Sequence, residues 1–303
     1  MQFVTIDCWP VTTPFDFRSE LEKGNVLFFP STPFPFPEES KKFLRTLEFA
    51  DGAVHKNIAY KPTIDRVTGL DLDPDRRARL HDILRRYSHT VAQFATELLP
   101  QYARYWKLDY ASFRPVEENG RGLPLNKRND LIHTDAFPSR PTNGALILRV
   151  FTNIHLSKTR DWVTTDPFPV IAGRYAKHAG LDKIAAGATS MAGHLKDGLA
   201  RFLQSIGLPV VHRSAYDQFM LRFHEYLKRN DDFQKNTPKY RFNFPAGSTW
   251  LTFTDVVPHS VLSGQHALEQ TFIIARHSLA NQEQAPVSVL ERLCGKPLVS
   301  ANN

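Results

Sequence analysis

Apolar residues recur every three or four positions between Leu80 and Leu98, which is the spacing of a helix that lies on a hydrophobic core. The stripe consists of Leu80, Leu84, Tyr87, Val91, Phe94 and Leu98. Asp73-Pro74 precedes it, and an Asp N-cap followed by Pro in the first turn is a common helix start. The opposite face carries Arg76, Arg77, Arg79, Arg85 and Arg86. We predict a long amphipathic helix whose basic face is exposed to solvent or to anionic head groups.

Beyond about Leu131 the pattern becomes that of strands. Apolar, aromatic and β-branched runs predict strands at residues 145–154, 240–244, 249–254 and 268–276. Helical patterns interrupt them near 191–206 and from Ser214 to Lys228. Strands and helices do not alternate regularly, and the sequence has no Gly-rich phosphate loop or nucleophile elbow. The pattern therefore favours a mainly β, α+β protein: a β-sandwich or barrel with helices on its outside.

Length and composition are consistent with one elaborated domain. The chain has 303 residues, of which 42% are hydrophobic and 23% charged, so general disorder is excluded. We divide it into an N-terminal extended and helical support region (1–125), a catalytic core (126–280) with a helical insertion at about 185–230, and a C-terminal tail (281–303). The sequence has no apolar run of about 18 residues, as a membrane span requires.

Cysteine usage and charge narrow the classes of function. The two cysteines, Cys8 and Cys294, provide neither a disulfide framework nor a cysteine zinc site, so we expect a cytoplasmic protein. The net charge of +7 is compatible with nucleic acid, an anionic membrane surface or an acidic substrate. The charge alone does not separate these partners.

The informative motif is His133-Thr134-Asp135. Residues two apart on a strand point to the same side, so His133 and Asp135 would offer an imidazole nitrogen and a carboxylate oxygen to one point. Downstream, His259 follows a proline at the start of another extended segment. Two histidines and one carboxylate with open coordination positions are the ligand set of non-haem Fe(II) oxygenases.

An arginine follows one strand later. Arg276 and Ser278 are two residues apart, and a guanidinium with a neighbouring hydroxyl suits a carboxylate. The order His-x-Asp, distant His and then Arg points to an Fe(II)/2-oxoglutarate oxygenase. Such enzymes often place the arginine about ten residues after the distal histidine, whereas here the gap is 276 − 259 = 17.

The chain as a whole resembles the Kdo hydroxylases, which act on the 3-deoxy-octulosonic acid of the lipopolysaccharide inner core. The resemblance rests on the segments 24–30, 114–135, 143–153 and 219–228 and on the regions of His259 and Arg276. It implies a double-stranded β-helix (jelly-roll, cupin-like) core. It also implies hydroxylation at C3 of a Kdo residue in Kdo-lipid A, which gives the sugar Ko together with succinate and CO2.

The resemblance further implies roles for individual residues. His133, Asp135 and His259 would bind Fe(II), and the cosubstrates would be 2-oxoglutarate and O2. The far carboxylate of 2-oxoglutarate would meet Arg276 and Ser278, and Asn153 would contact a cosubstrate oxygen on positional grounds. Cations near the metal motif would line the approach of the acidic glycolipid: Lys127, Arg128 and Arg149, with Arg121 and Arg140 as further candidates. Arg149 alternates with apolar neighbours and so faces either the barrel mouth or solvent.

Other functions remain open at this stage. An oxygenase of the same mechanism could act on alkylated nucleic acid, for which the basic charge would also serve, although we do not expect nucleic acid as the partner. A non-catalytic lipopolysaccharide-binding jelly roll would not need all three ligands, and a cupin isomerase or hydrolase would not need Arg276. For a Kdo hydroxylase we expect peripheral contact with the anionic cytoplasmic face of the inner membrane, with the Arg-rich helix face as the candidate surface. The sequence leaves the oligomeric state open.

Overall fold

The computed structural model describes residues 3–47, 57–69, 72–120, 122–188 and 212–300. The strands in these ranges are β1 (Phe3–Thr5), β2 (Val26–Phe29), β3 (Ile58–Lys61), β4 (Arg66–Thr68), β5 (Trp106–Arg114), β6 (Leu146–Asn153), β7 (Arg160–Thr164), β8 (Tyr240–Phe244), β9 (Thr249–Phe253), β10 (His259–Ser263) and β11 (Ala267–Ile274). The α-helices are α1 (Phe17–Glu22), α2 (Glu38–Arg45), α3 (Pro74–Leu98), α4 (Pro100–Ala103), α5 (Phe168–Tyr175), α6 (Leu181–Ala188), α7 (Ala215–Arg229), α8 (Asp231–Asn236) and α9 (Pro286–Cys294).

The strands form two sheets that together make a jelly roll. The large sheet has the order β1-β2-β9-β6-β11-β5-β3-β4 and the small sheet the order β10-β7-β8. From β6 onward the chain crosses between the sheets repeatedly, since β6, β9 and β11 belong to the large sheet and β7, β8 and β10 to the small one. The predicted α+β fold with a jelly-roll core is confirmed.

The two faces of the large sheet bury different sets of residues. One face packs under α3, whose apolar stripe shares a cluster with Leu148, Val150 and Leu268. The other face contacts the small sheet through an aromatic cluster that includes Phe151, Trp162 and Trp250. This alternation follows from the period of two along a strand. It places Arg149, which has the same parity as Phe151, on the face toward the small sheet.

The predicted elements agree closely with the structure. Asp73 caps α3 by accepting the amide N–H of Arg76 at 2.9 Å, and Ser214 caps α7 by accepting that of Asp217 at 3.1 Å. The predicted strands at 145–154, 240–244, 249–254 and 268–276 correspond to β6, β8, β9 and β11. The helix predicted near 191–206 lies outside the described residues.

The large sheet begins earlier in the chain than the predicted core. β5 lies between β11 and β3, and β2 pairs with β9, although both precede residue 126. The support region therefore contributes strands to the same sheet that carries Arg149. Within the described ranges, every helix is too short or too polar to cross a bilayer.

Candidate metal centre

Backbone pairing brings the two distant halves of the site together. His133 and His259 form an isolated antiparallel bridge, in which each amide N–H donates to the other residue's carbonyl, at 3.0 and 2.9 Å. The amide of Asp135 donates to the carbonyl of Thr254 at 3.0 Å. The segment that carries His133 thus extends the small sheet beside β10.

The three predicted ligands converge in space. One ligand atom from each of His133, Asp135 and His259 lies within 4.8 Å of the others. The Nε2 atom of His133 is 3.8 Å from the Oδ1 atom of Asp135. Both histidines are 4% exposed, so a bound ion would be shielded from bulk water except through its open positions.

The hydrogen bonds of the two imidazoles fit metal ligation. Nδ1 of His133 lies 2.7 Å from the carbonyl oxygen of Leu131, and Nδ1 of His259 lies 2.9 Å from that of Val257. A carbonyl only accepts, so the hydrogen of each neutral ring belongs on Nδ1 and the lone pair on Nε2. Such a hydrogen bond fixes the tautomer and the orientation of a ligating histidine.

The protonation states also suit a divalent cation. Burial lowers the pKa of His133 well below its usual value, and the electrostatic influence of the neighbouring His224 and Lys228 lowers it further. Burial likewise lowers the pKa of His259. Burial opposes ionisation of Asp135, but the guanidinium of Arg149 and the two adjacent imidazoles outweigh it and lower the pKa of that carboxyl. At neutral pH the set is two neutral imidazoles and one carboxylate, as the facial triad requires.

A network of buried charges extends from the triad between the sheets. Arg149 pairs with Asp135 at 3.1 Å and with Glu269 at 3.0 Å, and Arg114 pairs with the other carboxylate oxygen of Glu269. Deeper in, Arg160 is 3.3 Å from Glu118 and donates to the carbonyl of Gly264 at 2.8 Å.

The structure does not bring Arg276 to this centre. Arg276 lies beyond the end of β11 in a short 3-10 turn, is 39% exposed in its side chain and faces Glu291 of α9 at 3.8 Å. The Ser278 hydroxyl donates to the carbonyl of Ala275 at 2.7 Å. The β11 residues that face the site lie closer to His259 along the chain than Arg276 does. The position ten residues after His259, where related enzymes often have the arginine, is 269 and holds a glutamate.

Asn153 also lies apart from the metal ligands. Its amide nitrogen donates to the carbonyls of Lys158 and Phe244, each at 3.0 Å, and its Oδ1 accepts the amide of His155 at 3.0 Å. Because these bonds tie down the connection after β6, the side chain has a structural role.

The predicted entrance cations lie in different places. Arg149 is buried beside Asp135, and so belongs to the metal centre itself. Lys127 is exposed in a 3-10 turn, and Arg128 pairs with Asp130 at 3.0 Å. Arg121 lies outside the described residues.

Sequence reasoning overlooked three residues next to the centre: Arg114, Glu269 and His224. The His224 ring lies 4.7 Å from that of His133, and its Nδ1 lies 2.7 Å from the carbonyl oxygen of Thr134. Glu269 could have been noticed, since a charged residue stands there within an apolar strand. Nothing local in the sequence marks His224, which reaches the site only through the packing of α7.

A two-histidine, one-carboxylate centre between the sheets of a jelly roll defines the class of non-haem metal-dependent oxygenases. The chain matches the family described as 3-deoxy-D-manno-oct-2-ulosonic acid (Kdo) hydroxylase over residues 12–297. It belongs to the Kdo hydroxylase family.

Solved structures of a Kdo hydroxylase, KdoO, are similar along the whole chain. The complex of KdoO with α-ketoglutarate and Fe(III) is 34% identical, with a TM-score of 0.84 and coverage of 100% of this chain and 99% of that chain. The complex with succinate and Fe(III) is 35% identical, with a TM-score of 0.83 and coverage of 99% and 98%. KdoO is described there as a non-haem Fe(II) α-ketoglutarate-dependent dioxygenase. No curated protein matches the sequence.

Proposed function

We propose that this protein is an Fe(II)/2-oxoglutarate-dependent dioxygenase that hydroxylates a Kdo residue. The observation that carries the proposal is the convergence of His133, Asp135 and His259 within 4.8 Å, with both imidazole hydrogens held on Nδ1. A second support is membership of a family in which KdoO binds α-ketoglutarate, succinate and iron.

Each ligand has a defined task. His133 and His259 would hold Fe(II) through Nε2, and Asp135 would hold it through a carboxylate oxygen. When bound, Fe(II) with 2-oxoglutarate and O2 supplies the oxidation that inserts a hydroxyl group into a C–H bond and releases succinate and CO2. Arg149 favours the ionised form of Asp135. The Trp162 ring stacks on that of His259 with centroids 4.8 Å apart and keeps water from that side of the ligand.

We propose that the far carboxylate of 2-oxoglutarate meets Arg114 and Arg149 in place of Arg276. These two guanidiniums face the space between the sheets, and Glu269 holds both of them there. Replacing Arg114 with Met should raise the KM for 2-oxoglutarate by roughly tenfold or more, whereas Arg276→Met should leave it unchanged. A raised KM for 2-oxoglutarate in Arg276→Met, with no change in Arg114→Met, would instead assign the cosubstrate carboxylate to Arg276.

The deciding experiment is an anaerobic titration with Fe(II) and 2-oxoglutarate, followed by turnover in air. We expect iron-dependent succinate formation that Kdo-lipid A stimulates, and a gain of about 16 mass units on the sugar. Stimulation by methylated DNA in place of the glycolipid would support the nucleic-acid alternative. Lack of iron uptake would support a binding module.

We further propose that hydroxylation takes place at C3 of Kdo and gives Ko. The resemblance of the segments around the metal ligands to Kdo hydroxylases supports this position. Fragmentation of the product by mass spectrometry, or its NMR spectrum, would locate the new hydroxyl group. A hydroxyl group at any other carbon would contradict the assignment.

The acyl chains of Kdo-lipid A would hold the substrate in a membrane, so we propose peripheral contact with an anionic bilayer. α3 packs on the face of the large sheet that points away from the metal ligands. If the protein docked on a bilayer through the basic face of α3, the metal centre would lie on the side away from the membrane. We therefore expect that changing Arg76, Arg77 and Arg79 to serine leaves sedimentation with phosphatidylglycerol vesicles unaffected. Loss of sedimentation would establish α3 as the docking surface.

A further inference from the structure

β5 carries an irregularity at the level of the metal centre. In the antiparallel pairing of β11 with β5, Gln270 lies opposite Ala111 and Phe272 opposite Leu108. Asp109 and Tyr110 therefore both face the single residue Thr271, which is the arrangement of a β-bulge. Bulges redirect side chains and are frequent beside active sites. Here the bulge allows two consecutive residues to contact the same partner.

That partner is Arg140, in the connection between the metal-binding segment and β6. Its guanidinium carbon lies 3.8 Å from the ring centre of Tyr110 and 4.2 Å from that of Phe137. Its Nε atom is 3.1 Å from Oδ2 of Asp109. We call Asp109, Tyr110, Phe137 and Arg140 the rim cluster.

The rim cluster is joined to the metal centre by short contacts. Phe137 follows Asp135 by two residues, and its ring centre is 5.3 Å from the guanidinium carbon of Arg149, which in turn pairs with Asp135. Asp109 is 8% exposed, whereas Arg140 is 28% exposed. The cluster therefore reaches from beside the ligands to the surface, on the large-sheet side of the site.

The geometry prepares Arg140 to bind an oxyanion. A guanidinium is a planar fork with five N–H donors that match a carboxylate or a phosphate. Contact with two rings and the nearby carboxylate of Asp109 restrict the orientation of the guanidinium, so little side-chain entropy is lost when a ligand binds. Because Nε faces Asp109, the two Nη atoms at the other end of the guanidinium are the donors that a ligand would meet. Arg128, by contrast, has both its Nε and an Nη atom on Asp130.

We propose that Arg140, held by the rim cluster, binds an oxyanion of the substrate: a sugar carboxylate or a phosphate ester. The inference rests on the proposed function, because it assumes that an acidic glycolipid approaches this metal centre. Arg140 would act as a specificity-determining residue that takes no part in oxidation.

The test separates substrate binding from cosubstrate binding. In Arg140→Met we expect the KM for Kdo-lipid A to rise roughly 10- to 100-fold, with the KM for 2-oxoglutarate and the slow substrate-free turnover of 2-oxoglutarate unchanged. Arg140→Lys retains the charge but loses the fork, and we expect it to recover only part of the affinity. Arg104→Met, at an exposed position just after α4, is the control for the loss of an arginine and should behave like the wild type.

Two modified substrates identify which oxyanion Arg140 binds. If the carboxylate is bound, a Kdo glycoside without phosphates should lose affinity in Arg140→Met to the same degree as Kdo-lipid A. If a phosphate is bound, the dephosphorylated substrate should bind the wild type and Arg140→Met equally. Both results support an oxyanion site, and they differ only in its occupant.

Other results would overturn the proposal. An unchanged substrate KM in Arg140→Met, with normal thermal stability, would mean that the rim cluster only fastens the connection to β5. A rise in the 2-oxoglutarate KM alone would make Arg140 a cosubstrate residue. Failure of the proposed function would appear differently, as absence of turnover by the wild type with any Kdo substrate.

Discussion

At the scale of single residues, both histidine ligands are oriented by the same local device. Each ring gives its Nδ1 hydrogen to the carbonyl two residues earlier in the chain, that of Leu131 or of Val257. The tautomer and the direction of Nε2 therefore depend on a few neighbouring residues. Only the pairing of the segment that carries His133 with the segment that carries His259 depends on the whole fold.

Replacing Asp135 by Ala should abolish iron-dependent turnover and leave the fold intact. The two imidazoles remain, but the anionic ligand and the counter-charge of Arg149 are lost. We expect succinate formation below about one hundredth of that of the wild type, with weakened iron uptake. Metal analysis and circular dichroism would check both points. An active variant would remove Asp135 from the ligand set.

Asp255 provides a pH-dependent term in stability that metal ligation does not explain. Burial raises the pKa of this carboxyl from 3.8 to about 7, and its Oδ1 accepts the amide of Ile147 at 3.1 Å. Because the folded state holds this proton more tightly, the contribution is full below the unfolded pKa of about 4. It is lost as pH rises through about 7.

Asp255→Asn should remove that dependence. The amide oxygen retains the acceptor for Ile147, and the side chain no longer ionises, so the variant should gain stability relative to the wild type between pH 5 and pH 8. The expected gain is a few kcal/mol, at about 1.4 kcal/mol per pKa unit. Urea unfolding at both pH values measures it. Parallel pH profiles for the two proteins would contradict the assignment.

The sequence allowed the three converging residues of the candidate metal centre to be predicted, but not the residues that surround them. His133 and Asp135 could be paired because a period of two is a local property of strands. Arg276 was chosen because it follows His259 by one strand and was expected to share a strand face with Ser278, yet β11 ends at Ile274 and the chain turns toward α9. Whether Arg149 faced the site or solvent depended on the second sheet, which no single strand encodes.

At the scale of elements, helix starts and strand cores were the most predictable features, because caps and alternation act locally. The bulge at Asp109–Tyr110 could not be predicted, since it is defined only by the register of β5 against β11. The rim cluster and the position of His224 on α7 were missed for the same reason.

Ser214 offers a test at this scale. Its hydroxyl caps α7, and the adjacent Asp217 carboxylate accepts the amide of Thr142 at 2.8 Å, which links the helix to the connection that carries Arg140. Ser214→Ala should lower the free energy of unfolding by about 1 kcal/mol, with iron affinity unchanged. The exposed Ser139→Ala is the control in urea unfolding. Equal stability of the two variants would mean that the cap contributes nothing.

At the scale of the whole molecule, the buried ion pairs between the sheets contain equal numbers of positive and negative groups. Three arginines (Arg114, Arg149 and Arg160) face three carboxylates (Glu118, Asp135 and Glu269) in these pairs. Unpaired buried charge is costly. Fe(II) alone adds two positive charges to this balance and 2-oxoglutarate alone adds two negative ones, whereas the two together add none.

The balance predicts that the metal and 2-oxoglutarate bind cooperatively. Coupling between two ligands is reciprocal, so each should raise the affinity of the protein for the other by the same factor, which we expect to be at least about tenfold. Cobalt(II), which KdoO binds in a solved structure, serves as the metal in calorimetric titrations with and without 2-oxoglutarate. Glu269→Gln leaves one excess positive charge among these buried groups. The variant should therefore bind 2-oxoglutarate more tightly in the absence of metal, and the coupling factor between the two ligands should be smaller. Equal cobalt affinities with and without 2-oxoglutarate, in both the wild type and Glu269→Gln, would contradict the predicted coupling.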